Sequence, residues 1–213
     1  MNILITAGPT REPIDAVRFI GNRSSGKVGL ALAATAASQN HNVTLLLGPG
    51  ITIPPSFPAN INLIHFESTA DLQSLLTTHF PTTDILIMAA AVADYTPKTQ
   101  HQGKLPRSAD KSATLTIELT PTPDLTANLA PLKQPNQRII AFALEEPSVL
   151  IERATAKMKR KKVDAILANP LGTMESDSIN PTFITAAGQR TAPGPMPKTD
   201  FAPWLLTQIQ SLS

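Results

Sequence analysis

The chain has 213 residues, 42% of them apolar, with 18 Lys and Arg against 16 Asp and Glu and a formal net charge of +2. That length suits one well-packed α/β core, or one domain with an appendage, and not two full-sized domains. The small net charge argues against a nucleic-acid-binding face, the lack of cysteine removes disulfides and thiolate chemistry, and His41, His65, His79 and His101 show no metal-ligand spacing.

In chain order, short β-branched runs alternate with helical patterns, which predicts βαβ units and a doubly wound, mostly parallel, Rossmann-like sheet. Strands are expected at 2–6, 42–47, 61–65, 84–88, 138–143 and 165–169, and helices at 26–39, 70–79, 123–129, 148–162 and 200–211. Residues 95–113 are polar, carry Gly103 and Pro106 and show no sustained period. They are expected to form a long loop or flap over whatever the sheet binds. Residues 170–197 are rich in proline, glycine and threonine, with a strand-like run at 182–185, and predict a small irregular hairpin or edge. The whole, 1–213, reads as a single domain with that flap. No run reaches the roughly 18 to 20 apolar residues of a membrane span, and Asn2 enters a strand without the regions of a signal peptide, so a cytoplasmic protein is expected.

In open parallel sheets, ligands bind beyond the carboxyl ends of the strands, where helix N-termini offer unpaired N–H groups and a positive dipole. Gly8, Pro9, Ser24, Ser25, Gly26 and Gly29 fall in that zone. They read either as an anion site or as a tight turn followed by a serine-capped helix. A dinucleotide site calls for a compact G-x-G-x-x-G straight after the first strand and an acid at the end of the second. Neither is present. Lys98 follows Tyr95 too closely for the Tyr-x-x-x-Lys pair of short-chain reductases. Gly21-Asn22-Arg23-Ser24-Ser25-Gly26-Lys27 matches the P-loop pattern, but Val28 stands where a hydroxyl binds magnesium, and residues 7–21 separate the motif from its strand.

The run Ile5-Thr6-Ala7-Gly8-Pro9-Thr10-Arg11-Glu12-Pro13-Ile14-Asp15 continues as Val17-Arg18-Phe19-Ile20 and Asn22-Arg23-Ser24-Ser25-Gly26-Lys27-Val28-Gly29. Further on come Ala90-Ala91-Val92-Ala93-Asp94-Tyr95, Gly103-Lys104, Thr122-Pro123-Asp124, Phe142-Ala143 and the basic stretch 157–164. In order and spacing, over essentially the whole chain, these motifs resemble phosphopantothenate-cysteine ligase of coenzyme A biosynthesis. The resemblance implies a two-step reaction. A nucleoside triphosphate activates the carboxylate of 4'-phosphopantothenate as an acyl-nucleotide, and the amine of L-cysteine then displaces the nucleoside monophosphate. No enzyme nucleophile is required, because positioning and charge stabilisation carry both steps.

By the same resemblance, Lys104 is the flap lysine that stabilises charge on the triphosphate, Asn22 holds the acyl intermediate and Arg18 supports its conversion to product. Ser24, Gly26 and Gly29 approach the nucleotide phosphates, and Ala90, Ala91 and Asp94 contact substrate or nucleotide. Pro123, Asp124 and Asn169 are further nucleotide contacts, and Phe142 lies against the base. Lys157 and Lys161, four apart, share one helical face toward phosphates or ribose, whereas Lys159, Arg160 and Lys162 are expected to point elsewhere and answer the helix C-terminus. Read without the resemblance, Phe142 is a core residue, Asn22 a turn residue and Lys104 a solvated lysine.

This sequence departs from the family in three places. Its Lys-Ile-Lys-Lys flap is Lys104-Leu105-Pro106-Arg107 here, its Gly-Phe-Ala-x-Glu-Thr motif reads Ala141-Phe142-Ala143-Leu144-Glu145-Glu146, and Pro170 replaces the acid after Asn169. The bacterial character of the motifs implies CTP as the nucleotide, with Mg2+ held through its triphosphate rather than by a protein cage. It also implies a homodimer, no flavin in this chain, and phosphopantothenoylcysteine decarboxylase as a functional partner. A P-loop-like phosphotransferase and a non-catalytic nucleotide-binding module remain as alternatives.

Overall fold

The computed structural model describes residues 1–107, 113–173 and 178–212. The chain runs β1 (Asn2–Ala7), β2 (Arg11–Pro13), β3 (Phe19–Gly21), α1 (Lys27–Ser38), β4 (Asn42–Leu47), β5 (Asn62–His65), α2 (Thr69–His79) and β6 (Ile85–Met88). It continues through β7 (Tyr95–Pro97), β8 (Leu119–Pro121), α3 (Leu125–Leu129), β9 (Arg138–Glu145), α4 (Leu150–Lys161) and β10 (Ala165–Pro170). The last elements are β11 (Ser178–Ile179), β12 (Thr182–Thr185), β13 (Arg190–Thr191), β14 (Met196–Pro197) and α5 (Lys198–Gln210).

Eight strands form the central sheet in the order β13-β12-β10-β9-β6-β1-β4-β5. From β5 to β10 all neighbours are parallel, and β12 and β13 add an antiparallel edge, the hairpin expected from the 182–185 run. The chain winds outward from β1 in one direction through β4 and β5 and in the other through β6, β9 and β10. The carboxyl ends of β1 and β6 are therefore the topological switch point, where such sheets open a crevice.

The central strands are apolar on both faces because helices cover both. Ile3 and Ile5 of β1 pack with Leu32, Ala33 and Ala36 of α1 and with Phe201, Leu205 and Ile209 of α5. Leu4, between them, points to the other face and joins Leu72 and Leu76 of α2, Leu129 of α3 and Ala154 and Met158 of α4. The i, i+3, i+4 spacing of these helical residues is what lets each helix present one apolar stripe to the sheet. The start of α2 is fixed by a capping box in which Ser68 accepts from Asp71 N–H and Asp71 accepts from Ser68 N–H. Among the described residues no helix is long and apolar enough to cross a membrane.

Two features differ from the expected layout. The segment after β1, read as an insertion without regular structure, contains the β2–β3 hairpin, with Glu12 paired to Ile20. The flap region is not a loop throughout, because Tyr95–Pro97 pairs antiparallel with Leu119–Pro121 and gives it a two-stranded stem. Three-residue strands are too short to show a period of two, so neither was visible in the sequence. The part of the flap at 108–112 lies outside the described residues.

Candidate active site

A cavity of about 810 Å³ opens at the switch point and spreads from the end of β1 across β6 and β9 to β10. Its near wall is the entrance to α1, with Asn22, Ser24, Gly26 and Gly29. Gly26 is the N-cap of α1 in a left-handed conformation, φ 66°, with no side-chain cap and no acid in the first turn. Among the described residues no side-chain cap and no first-turn acid offsets the dipole at this end of α1, which favours an anion there. The serine-cap alternative fails here, since Ser24 and Ser25 make no cap bond to this helix. Gly29 also has a packing reason: a Cβ there would lie 2.3 Å from the Cβ of Ala7, so glycine lets α1 lie against β1.

Above the end of β6, residues 89–94 are clamped from below. Ala90 N–H donates to Thr6 Oγ1 at 3.1 Å, Ala91 N–H to Gly8 O at 2.9 Å and Ala93 N–H to Thr10 Oγ1 at 2.9 Å. Asn22 Nδ2 donates to Val92 O at 2.9 Å, which joins this segment to the α1 entrance. Ala90, Ala91 and Asp94 all line the cavity. Thr122, part of the Thr122-Pro123-Asp124 motif but given no role of its own by the sequence, donates from its hydroxyl to Ala93 O at 2.5 Å and holds Pro123 and Asp124 beside them.

The far wall comes from β9, α4 and β10. Phe142 is half-buried on the cavity, with Asn169 beyond it at the end of β10. Among the described residues the Oδ1 of Asn169 is buried and has no hydrogen-bond partner, a cost that natural interiors rarely carry without a use for it. Lys157 Nζ donates to Phe142 O at 2.9 Å. Burial, followed by the repulsion of nearby Lys161, lowers the pKa of Lys157 below that of an ordinary lysine. Lys161 Nζ pairs with Asp124 Oδ1 at 2.7 Å. Burial opposes the charge on Asp124, but that pair and the Ala127 N–H it caps outweigh it and hold the carboxyl below its usual range.

Arg160 corrects the sequence reading, because it lines the cavity with Lys157 and Lys161 instead of pointing elsewhere. Residues three apart share a helical face as fully as residues four apart. The C-terminal part of the chain adds Thr173, Ile179 and Lys198, which nothing in the sequence had marked. In all, the wall carries Arg23, Lys27, Lys157, Arg160, Lys161 and Lys198 against Asp94, Asp124 and Glu145, an excess of positive charge suited to a polyanion. Among the described residues no group of three or more His, Asp or Glu could hold a metal ion.

Arg18 and Lys104 do not line the cavity. Arg18 is engaged with Asp15 at the tip of the β2–β3 hairpin, and Lys104 is exposed beside it.

The fold and this cavity define a doubly wound α/β protein with a cationic cleft at its switch point. Residues 1–212 match the family described as DNA/pantothenate metabolism flavoprotein C-terminal domain, and the chain belongs to that family. It is 37% identical, over 99% of its length, to the coenzyme A biosynthesis bifunctional protein CoaBC of Vibrio vulnificus, of which it covers 52%. It is 46% identical over 79% of its length to a cysteine/cysteine sulfinic acid decarboxylase of an unknown prokaryotic organism, of which it covers 45%. The chain thus spans about half the length of these curated relatives. Among solved structures, the C-terminal domain of a coenzyme A biosynthesis bifunctional protein CoaBC superposes with a TM-score of 0.81 at 35% identity, covering 98% of this chain and 93% of that one.

Proposed function

We propose that the chain is a phosphopantothenate-cysteine ligase acting in coenzyme A biosynthesis. One observation carries this reading: a single cationic cavity joins the uncapped N-terminus of α1, the Lys157–Lys161 face and the Asn22 amide. The kinship with CoaBC proteins supports it. In the first step the carboxylate of 4'-phosphopantothenate attacks the α-phosphorus of CTP, forming the acyl-cytidylate and releasing pyrophosphate. In the second, the amine of L-cysteine attacks the acyl carbon, CMP leaves, and the amine gives up its proton. Both steps build charge on oxygens, so fixed donors and cations suffice.

Within this reading the α1 entrance, with Ser24, Gly26 and Gly29, and the cations of α4 take the triphosphate. Phe142 takes the base, with Pro123, Asp124 and Asn169 around the nucleotide. Asn22, Ala90 and Ala91 take the acyl group, and Asp94 lies between the two. Mg2+ would enter on the phosphate oxygens of the triphosphate, where it would neutralise developing charge. Arg18 and Lys104 supply charge from the hairpin and flap. A homodimer is supported by the large apolar residues exposed near that hairpin and the flap stem, Val17, Phe19, Tyr95 and Leu119. The protein acts in the cytoplasm, with residues 1–213 as one synthetase domain, phosphopantothenoylcysteine decarboxylase as its functional partner and no flavin bound by these residues. The decarboxylase activity in one relative's name is that of a chain about twice as long.

The discriminating measurement is pyrophosphate release from CTP. Release that requires phosphopantothenate, with product only after cysteine is added, is the expected result. Phosphate release from CTP alone would establish a phosphotransferase, and tight CTP binding without turnover a binding module. Lys104→Ala is expected to abolish the acyl-cytidylate, and Asn22→Asp to slow the second step more than the first.

A further inference from the structure

Of the two cations assigned to the reaction but absent from the cavity wall, Arg18 binds one carboxylate, Asp15, and the residue after Lys104 donates to that same carboxylate. Asp15 has a side chain with 0% exposure. It accepts from Val17 N–H at 2.9 Å, from Arg18 N–H at 2.8 Å and from Arg18 Nε at 3.0 Å, and it pairs with Arg18 Nη2. Its remaining partner comes from the flap: Leu105 N–H donates to Asp15 Oδ2 at 3.0 Å. Arg18 Nη2 in turn donates to Leu105 O at 3.0 Å, and Ala16 N–H donates to Gly103 O at 3.0 Å. Lys104 is therefore held through both neighbours, Gly103 by its carbonyl and Leu105 by its N–H and carbonyl, while its own side chain stays exposed.

A solvated loop lysine needs no such arrangement, since exposed loops leave their backbone groups largely to water. Gly103 has φ 74° and nothing within 4 Å of where a Cβ would stand, so glycine serves the backbone conformation there and not a close contact. The hydrogen bond from Arg18 leads the causes that hold the Asp15 carboxyl far below its usual range, and the bond from Leu105 adds to it. The carboxylate is thus ionised, and fully hydrogen-bonded, throughout the range in which proteins work.

We infer that Asp15 is a positioning residue: by binding Arg18 and the Leu105 N–H together, it fixes the backbone around Lys104 to the β2–β3 hairpin and sets the two cations in one defined relation. This rests on the roles proposed for Lys104 and Arg18, but the docking can be read without them. Asp15→Asn keeps the size of the side chain and loses its charge. Amide exchange by NMR is expected to speed up at least about tenfold at Leu105 and Ala16, with the core of α1 and β1 unchanged. Pyrophosphate release is expected to fall at least about tenfold in kcat, with KM for CTP altered less than about threefold.

Leu105→Pro, which removes the flap N–H and leaves the hairpin sequence intact, is expected to reproduce the exchange at Ala16 and the kcat defect if Asp15→Asn folds poorly. Unchanged exchange at Leu105 and Ala16 would overturn the inference, as would an unchanged kcat for pyrophosphate release in Asp15→Asn. If the wild-type protein releases no pyrophosphate, the ligase reading fails and the exchange data alone decide the docking.

Discussion

Gly26 and Gly29 lie one turn apart in the same motif and are glycines for different reasons. Gly26 needs its left-handed backbone, while Gly29 has no room for a methyl group over Ala7. Gly29→Ala is expected to cost about 1–2 kcal/mol net, overpacking exceeding the gain in helix propensity, and a thermal melt of the variant would read it. Lys157 carries a second consequence. Its lowered pKa means that the free protein releases this proton at a lower pH than a solvated lysine does. A bound polyphosphate favours the charged form and restores the proton, so binding should take up protons at alkaline pH and weaken as pH rises through the free-protein pKa. Calorimetry in two buffers of different ionisation enthalpy measures the uptake, which Lys157→Met should abolish. The cavity positions of Phe142 and Asn169 were legible through the family resemblance and not from the strands alone, since Phe142 read by itself is a core residue and β9 runs on past it to Glu145. Arg160 was not, because its place among five basic residues in six gave no hint of which face it shares.

At the level of elements, the long strands and all five α-helices could be read from pattern, while the pieces that shape the site could not. The β2–β3 hairpin and the β7–β8 stem have three residues in each strand, and what holds them is tertiary. Thr10, just before β2, shows how: its hydroxyl oxygen accepts from Ala93 N–H and lies 3.3 Å from Thr69 Oγ1, and Thr69 also donates to buried Glu12 at 2.6 Å. Thr10→Val keeps the volume and strands the Ala93 N–H, a loss of about 1–3 kcal/mol for an unsatisfied buried donor. Faster exchange of the Ala93 amide and weaker nucleotide affinity are expected together, because the same N–H anchors the cavity segment.

For the whole molecule, the parallel sheet and its switch point followed from the alternation of strands and helices, and they place the cavity without any motif. The antiparallel edge was expected only as an irregular hairpin, yet residues from this last third of the chain, Thr173, Ile179 and Lys198, reach the cavity wall. Proline, glycine and threonine mark where regular structure stops but not what the irregular chain touches. Assembly is tested at the same scale. Leu119→Asp, at an exposed apolar position on the flap stem, is expected to halve the mass seen by sedimentation equilibrium if two copies pack there.

Lys198 opens α5, and α5 packs on α1 through Phe201, Leu205 and Ile209. The cavity is therefore closed by residues as far apart in the chain as Asn22 and Lys198. A growing chain that has already made its glycine motif and six parallel strands still lacks part of one wall until α5 is released. Ligand affinity should thus appear late and all at once during synthesis, and binding should stabilise the protein against global unfolding rather than any separate piece of it.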